Sequence, residues 1–178
     1  LNTHHADSYV RVKLPATGKY FIELGDTQRQ GGLEFGYRLR GSPPRPDFEL
    51  RAVPASLSVR PGGTVTFRAV VLRKDGSSND VTIALKDAPA GFKLTGGRIP
   101  ASTNEATLTL TAPFAARAEP YALSLIGRAR LDGADIVRPA VPAEDQMQAF
   151  FYRHLVPAQE LQVKVVRRSG AGPRDRPR

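Results

Sequence analysis

Three histidines, His4, His5 and His154, are the imidazoles of a 178-residue chain that contains no cysteine and no tryptophan. Without cysteine there is no disulfide scaffold, no thiolate-bound zinc or iron-sulfur centre and no thiol nucleophile. Hydrolytic or metal chemistry would therefore have to come from hydroxyl, imidazole and carboxylate groups. Ser8 beside His4, His5 and Asp7 has the composition of a Ser-His-Asp triad. The Gly-x-Ser-x-Gly turn that exposes a nucleophile is absent around Ser8, and all four residues fall in a stretch expected to fray. His4 and His5 with Asp7 make a weak metal pair, lacking the His-Glu-x-x-His helix or a spaced third ligand. His154 follows Phe151-Tyr152-Arg153 near the end of an expected strand, where a structural role suits it.

Two carboxylate pairs stand out. Asp132 and Asp135 flank a turn signal, and Glu144-Asp145 follows Pro142. Either pair would serve as the acid and base of glycoside hydrolysis only if the fold held the two groups about 5 to 10 Å apart. Loop oxygens for calcium occur at Gly25-Asp26-Thr27 and at Lys74-Asp75-Gly76-Ser77-Ser78-Asn79-Asp80. Neither segment follows the Asp-x-Asp-x-Asp-Gly loop with a distal Glu, so ordinary Asx turns are the favoured reading. Gly31-Gly32, Gly62-Gly63 and Gly96-Gly97 lack the Lys-Ser/Thr continuation of a phosphate cradle and read as turns. No catalytic, cofactor-binding or metal residue is assigned from these patterns, no cofactor is expected, and the chain is expected not to be an enzyme.

The formal charge of +9, from 26 basic and 17 acidic residues, raises nucleic acid or another polyanion as a partner. The excess is partly local: Arg167, Arg168, Arg174, Arg176 and Arg178, opposed by Asp175, contribute +4 near the end of the sequence. Arginines interspersed with Tyr9, Tyr20, Phe21, Tyr37, Phe67 and Tyr121 imitate a base-stacking platform, but these aromatics mostly fall on inward strand phases. Nucleic-acid binding is therefore not expected. The chain starts at Leu1 and has no continuous apolar run approaching about 18 residues, so it reads as a piece of a larger protein without membrane insertion.

The elements that must position these groups are strands. Val10, Val12 and Leu14 alternate with Arg11 and Lys13, a turn follows at Pro15-Ala16-Thr17-Gly18, and Tyr20, Ile22 and Leu24 form the inward side of a second strand. Leu33, Phe35, Tyr37 and Leu39 complete an expected three-stranded meander. Pro43, Pro44 and Pro46 then interrupt regular pairing and mark a linker over 43–46. Beyond it, short alternating runs are expected at Phe48 to Val53, Leu57 to Val59, Val65 to Leu72, Val81 to Lys86, Ala106 to Thr111, Tyr121 to Arg130, Met147 to Tyr152 and Leu161 to Val166. Helix is expected only as a turn or two at Ala143 to Gln148 and at Phe114 to Arg117. This density predicts an all-β fold, an antiparallel immunoglobulin-like sandwich over 47–168, preceded over 1–42 by a meander from an incomplete sandwich and followed by a basic flexible tail over 169–178. A jelly roll or open barrel would share the periodicity.

The run from Tyr9 to Asp26, followed by Gly31-Gly32-Leu33-Glu34-Phe35-Gly36-Tyr37-Arg38-Leu39, resembles the closing hairpins of the bacterial pre-peptidase C-terminal domain. The region beyond Asp47, with Pro61-Gly62-Gly63-Thr64 and Asp87-Ala88-Pro89-Ala90-Gly91-Phe92 at turns, is similar to bacterial immunoglobulin-like modules of large secreted proteins. The resemblance implies a non-catalytic structural or binding module, extracellular, periplasmic or in the cell envelope, that spaces or anchors neighbouring domains of a larger chain. It implies a protein or glycan ligand as the partner in an adhesive role. The alternative is an accessory domain that shapes the cleft of a secreted peptidase or other hydrolase. Self-association through an exposed sheet edge is a further expectation.

Overall fold

A computed structural model describes residues 9–25, 28–115, 117, 119–148 and 152–166. They fall into two units, 9–44 and 45–166. The second unit holds β1 (Asp47–Val53), β2 (Ser56–Val59), β3 (Thr64–Lys74), β4 (Val81–Lys86), β5 (Lys93–Thr95), β6 (Arg98–Ile99), β7 (Glu105–Thr111), β8 (Tyr121–Leu131), β9 (Ala134–Gln148), β10 (Tyr152–Pro157) and β11 (Leu161–Val165). No helix occurs among the described residues.

Alternation explains most of these strands. In β8 the residues at every second position from Tyr121 to Leu131 are buried, and in β7 Leu108 and Leu110 are buried between threonines. One hydrophobic cluster results. It joins Phe48, Leu50 and Ala52 of β1, Phe67 and Val71 of β3, and Leu108 and Leu110 of β7 to Val81, Ile83, Leu123, Leu125 and Val163. Gly127 shows how closely the strands meet across this core. A Cβ there would lie 3.0 Å from both Leu50 Cδ2 and Phe48 Cε2, so any side chain at this position requires those two to give way by a few tenths of an ångström.

The strand path β2-β11-β8-β9-β1-β3-β7-β5, with β4 on the other edge of β8 and β6 beside β4, is an all-β, sandwich-like arrangement. The groups β1-β3-β7-β5 and β4-β8-β11 follow the strand order of an immunoglobulin-like sandwich. It is mixed rather than purely antiparallel. β1 pairs antiparallel with β3 from Asp47↔Lys74 to Val53↔Arg68, and parallel with β9 from Leu50↔Ala140 to Ala52↔Pro142. At Pro54, which offers no N–H to a ladder, the chain changes sheet. It continues as β2, parallel to β11 from Ser56↔Gln162 to Val59↔Val165. The parallel pairs were invisible to periodicity, because alternation reports which side is buried and not which neighbour runs alongside.

Two tight turns satisfy their sequence signals. Asp132 and Gly133, at φ 47° and 82°, close the β8–β9 hairpin so that Leu131 faces Ala134. Asp75 and Gly76, at 49° and 82°, turn the end of β3, where Ser77 N–H donates to Lys74 O at 3.0 Å. Both have the double positive φ that Asp-Gly tolerates.

Four expected elements change. Ala143 to Gln148 is not helix but the second half of β9, paired antiparallel with β10 from Ala143↔Pro157 to Gln148↔Tyr152. Residues 114, 115 and 117 show no helix either. The expected single strand from Met147 to Tyr152 is instead the end of β9 and the start of β10, with 149–151 outside the described residues. The meander expected over 1–42 forms no strand among its described residues, which carry only turns and bends. Val10, Val12, Phe21, Ile22, Leu33 and Tyr37 are exposed. Period-2 alternation prepares one apolar face, but a sheet of three short strands is stable only when something covers that face.

Candidate functional site

A groove of about 450 Å³ lies where the chain changes sheet. Val53 and Pro54, Thr66 to Arg68 of β3, Thr107 of β7, and Glu144 and Asp145 of β9 line it. This places one of the two acidic pairs suggested by sequence in the groove. Each carboxylate is already engaged by the fold. Glu144 Oε1 accepts a hydrogen bond from Ala55 N at 3.0 Å, filling the donor left open between β1 and β2. Asp145 Oδ2 accepts from Arg68 Nη2 at 2.9 Å, while Arg68 Nη1 reaches Glu105 Oε2 at 3.1 Å. The guanidinium thus ties β3 to both β9 and β7.

The other acidic pair is spread along the hairpin. Asp132 sits in the turn, whereas Asp135 is exposed on β9 opposite Arg130. His154 is half-buried on β10 opposite Gln146. His4, His5, Asp7 and Ser8 lie outside the described residues, as do Asp26 and Thr27 of the first calcium-type loop. In the second such loop, arginines take oxygens of Asn79 and Asp80, and Arg73 also reaches acceptors outside the loop. Arg73 donates to Asn79 O at 2.6 Å, Pro100 O at 2.9 Å, Thr103 O at 3.1 Å and Asn104 Oδ1 at 3.2 Å. Asp80 accepts from Arg98 Nε at 2.9 Å and from Ala101 N at 2.9 Å. Its hydrogen bonds to Arg98 and Ala101 hold Asp80 below the usual carboxylate range. No group of three metal-ligating side chains converges among the described residues.

β1 carries a second set of ionic ties. Arg138 of β9 grips both oxygens of Asp47, with Nε at 3.0 Å and Nη2 at 2.9 Å, a fork-to-fork contact. Burial pushes the Asp47 pKa upward, but the Arg138 bonds, the Phe48 N–H and the nearby positive charges outweigh it and hold the carboxyl low. Glu49 is also held low, chiefly by Lys74 and, against the effect of burial, by Arg51. Arg138 is correspondingly raised by its bonds to Asp47.

Sequence reasoning missed these ties and one aromatic contact. Tyr121, the first residue of β8, accepts a hydrogen bond at its hydroxyl from Arg117 N at 3.0 Å. The Arg117 guanidinium lies 4.4 Å from the ring centroid, and Phe92 meets the ring edge-on at 5.0 Å. A tyrosine bonded to backbone a few residues upstream, at the start of the strand after the β7–β8 corner, is a recurring feature of immunoglobulin-like sandwiches. Tyr121 after Pro120 was its available sequence signal.

No family model matches the chain, and no curated protein does. Among solved structures, it is similar to the crystal structure of the S-layer protein SbsC domains 4 and 5, at 15% identity and a TM-score of 0.33. The match covers 54% of this chain and 52% of that one, so it spans about half of each.

Proposed function

We propose that the chain is a non-catalytic structural or binding module of a secreted or cell-envelope bacterial protein, spacing or anchoring neighbouring domains. The observation that carries this reading is the use of Glu144. In the groove at the sheet change, this candidate acid or base holds the Ala55 N–H and so has a structural duty. Its neighbour Asp145 is tied to Arg68 in the same way. Protein or glycan contacts along exposed strand faces are the adhesive version of the same role.

Glu144→Gln provides the decisive test, because an amide oxygen can still accept from Ala55 N. The purified chain and this variant are compared on peptide, ester and glycoside substrates, with glycan-array and pull-down binding run in parallel. The expected result is no turnover by either protein. Turnover by the native chain that disappears in the equally folded Glu144→Gln variant overturns the proposal in favour of a hydrolase.

A further inference from the structure

The first and last strands of the second unit are arranged to resist a pull along the chain. β1 is bonded on both edges, to β3 through seven residue pairs and to β9 through three. Its first residue, Asp47, is gripped by Arg138, so tension reaching it from residues 45 and 46 meets an ion pair at the first rung of the ladder. Beyond the sheet change, β2 runs parallel to β11 through four pairs. That ladder is closed at one end by Gln162 N donating to Ala55 O and at the other by Val166 N donating to Val59 O, both at 2.8 Å. β11 is also bonded to β8 on its other edge.

Because β2 and β11 are parallel, the N-terminal end of one lies at the opposite end of the ladder from the C-terminal end of the other. Opposed pulls at those ends act along the strands. All bonds of a ladder then carry the force together, whereas a pull across a ladder breaks them one at a time. We propose that β1, β2 and β11 form a shear clamp, and that the unit is a tension-bearing link between the segments before residue 45 and after residue 166. This proposal rests on the scaffold reading and specifies what kind of scaffold the module is.

The absence of native cysteine makes engineered thiols unique attachment points for single-molecule pulling. Arg45→Cys with Val166→Cys loads β1 and β11 lengthwise. Arg45→Cys with Ser78→Cys loads the same β1–β3 ladder from its open end, where Asp47 faces Lys74, and peels it. The expected unfolding force is several-fold higher in the first geometry. Gln162→Pro, which removes the donor to Ala55 O, should lower the force in the first geometry and leave the second unchanged. If that variant fails to fold, the two geometries in the otherwise native chain still decide. Equal forces in both geometries overturn the clamp while leaving a non-catalytic scaffold standing. Turnover lost in Glu144→Gln overturns the scaffold whatever the forces are.

Discussion

Tyr121 shows what a single polar atom contributes inside an apolar corner. Its residue is only 8% exposed, and its hydroxyl satisfies Arg117 N, a donor with no strand to join. Tyr121→Phe preserves the ring against Phe92 and Arg117 and deletes that acceptor, so denaturant melts should show a loss of about 1 kcal/mol. Leu108, fully buried in the core, has no such polar duty. Leu108→Ala should cost about 2 to 5 kcal/mol through lost transfer energy and a cavity. Thr109→Ala, half-buried on the opposite side of the strand, should cost no more than about 1 kcal/mol. Comparable losses at 108 and 109 in the same melts would contradict the observed strand phase. Gly127→Ala should cost about 1 to 3 kcal/mol because Leu50 and Phe48 would have to move. The inward phase of Leu108 is legible in sequence, since its alternation with threonine is local. The partner of the Tyr121 hydroxyl is not, since it depends on how the preceding loop folds back.

Among the strands, legibility tracks how strictly one side is buried. β4, β7, β8 and β11 alternate cleanly and match expectation closely. β5 and β6 have three and two residues around Gly96-Gly97, too short for a pattern to accumulate. β9 was obscured for a different reason. It contains Pro139, Pro142, Glu144 and Asp145, which suggest a break and then a helical turn. In the fold Pro139 ends the pairing with β8 and Pro142 ends the pairing with β1, so proline costs few ladder bonds, and the acids, on the part of β9 paired with β10, meet Ala55 N and Arg68. The acidic pair was thus visible in sequence, but its duty was not.

β1 also makes an acid-dependence testable. The folded-state pKa values of Asp47 and Glu49 lie below their ordinary values of 3.8 and 4.5. Protons therefore bind the unfolded chain more readily. The stabilisation is fully present above those ordinary values and is lost as pH falls through the depressed folded-state values. Thermal melts should be level from neutral pH to about pH 5 and fall below it, and Asp47→Asn should reduce the size of that fall. An unchanged acid slope in Asp47→Asn would show that the Arg138 fork does not contribute.

For the whole molecule, the two units present opposite cases. The second unit encloses its alternating residues, and the first leaves Phe21 at 86% exposure and Tyr37 at 77%. Equal alternation therefore does not guarantee equal burial, because a sequence stripe specifies a face but cannot supply what covers it. Amide exchange should follow this division. The described residues of 9–44 should exchange close to unprotected rates, and the central pairs of β1, β3 and β8 should exchange only through global opening. Protection factors of similar size in both units would mean that a strand-paired first unit is populated in solution.

β9 carries a last consequence, for folding. One end of this strand is registered against β8 and its middle against β1, so its placement is checked twice. A one-residue slip would turn its side chains over and misalign both sheets together. Such an error is penalised in two places at once, and neither sheet can fray fully while the other holds the shared strand. The sandwich should consequently melt in a single cooperative step, with strand and aromatic signals lost together.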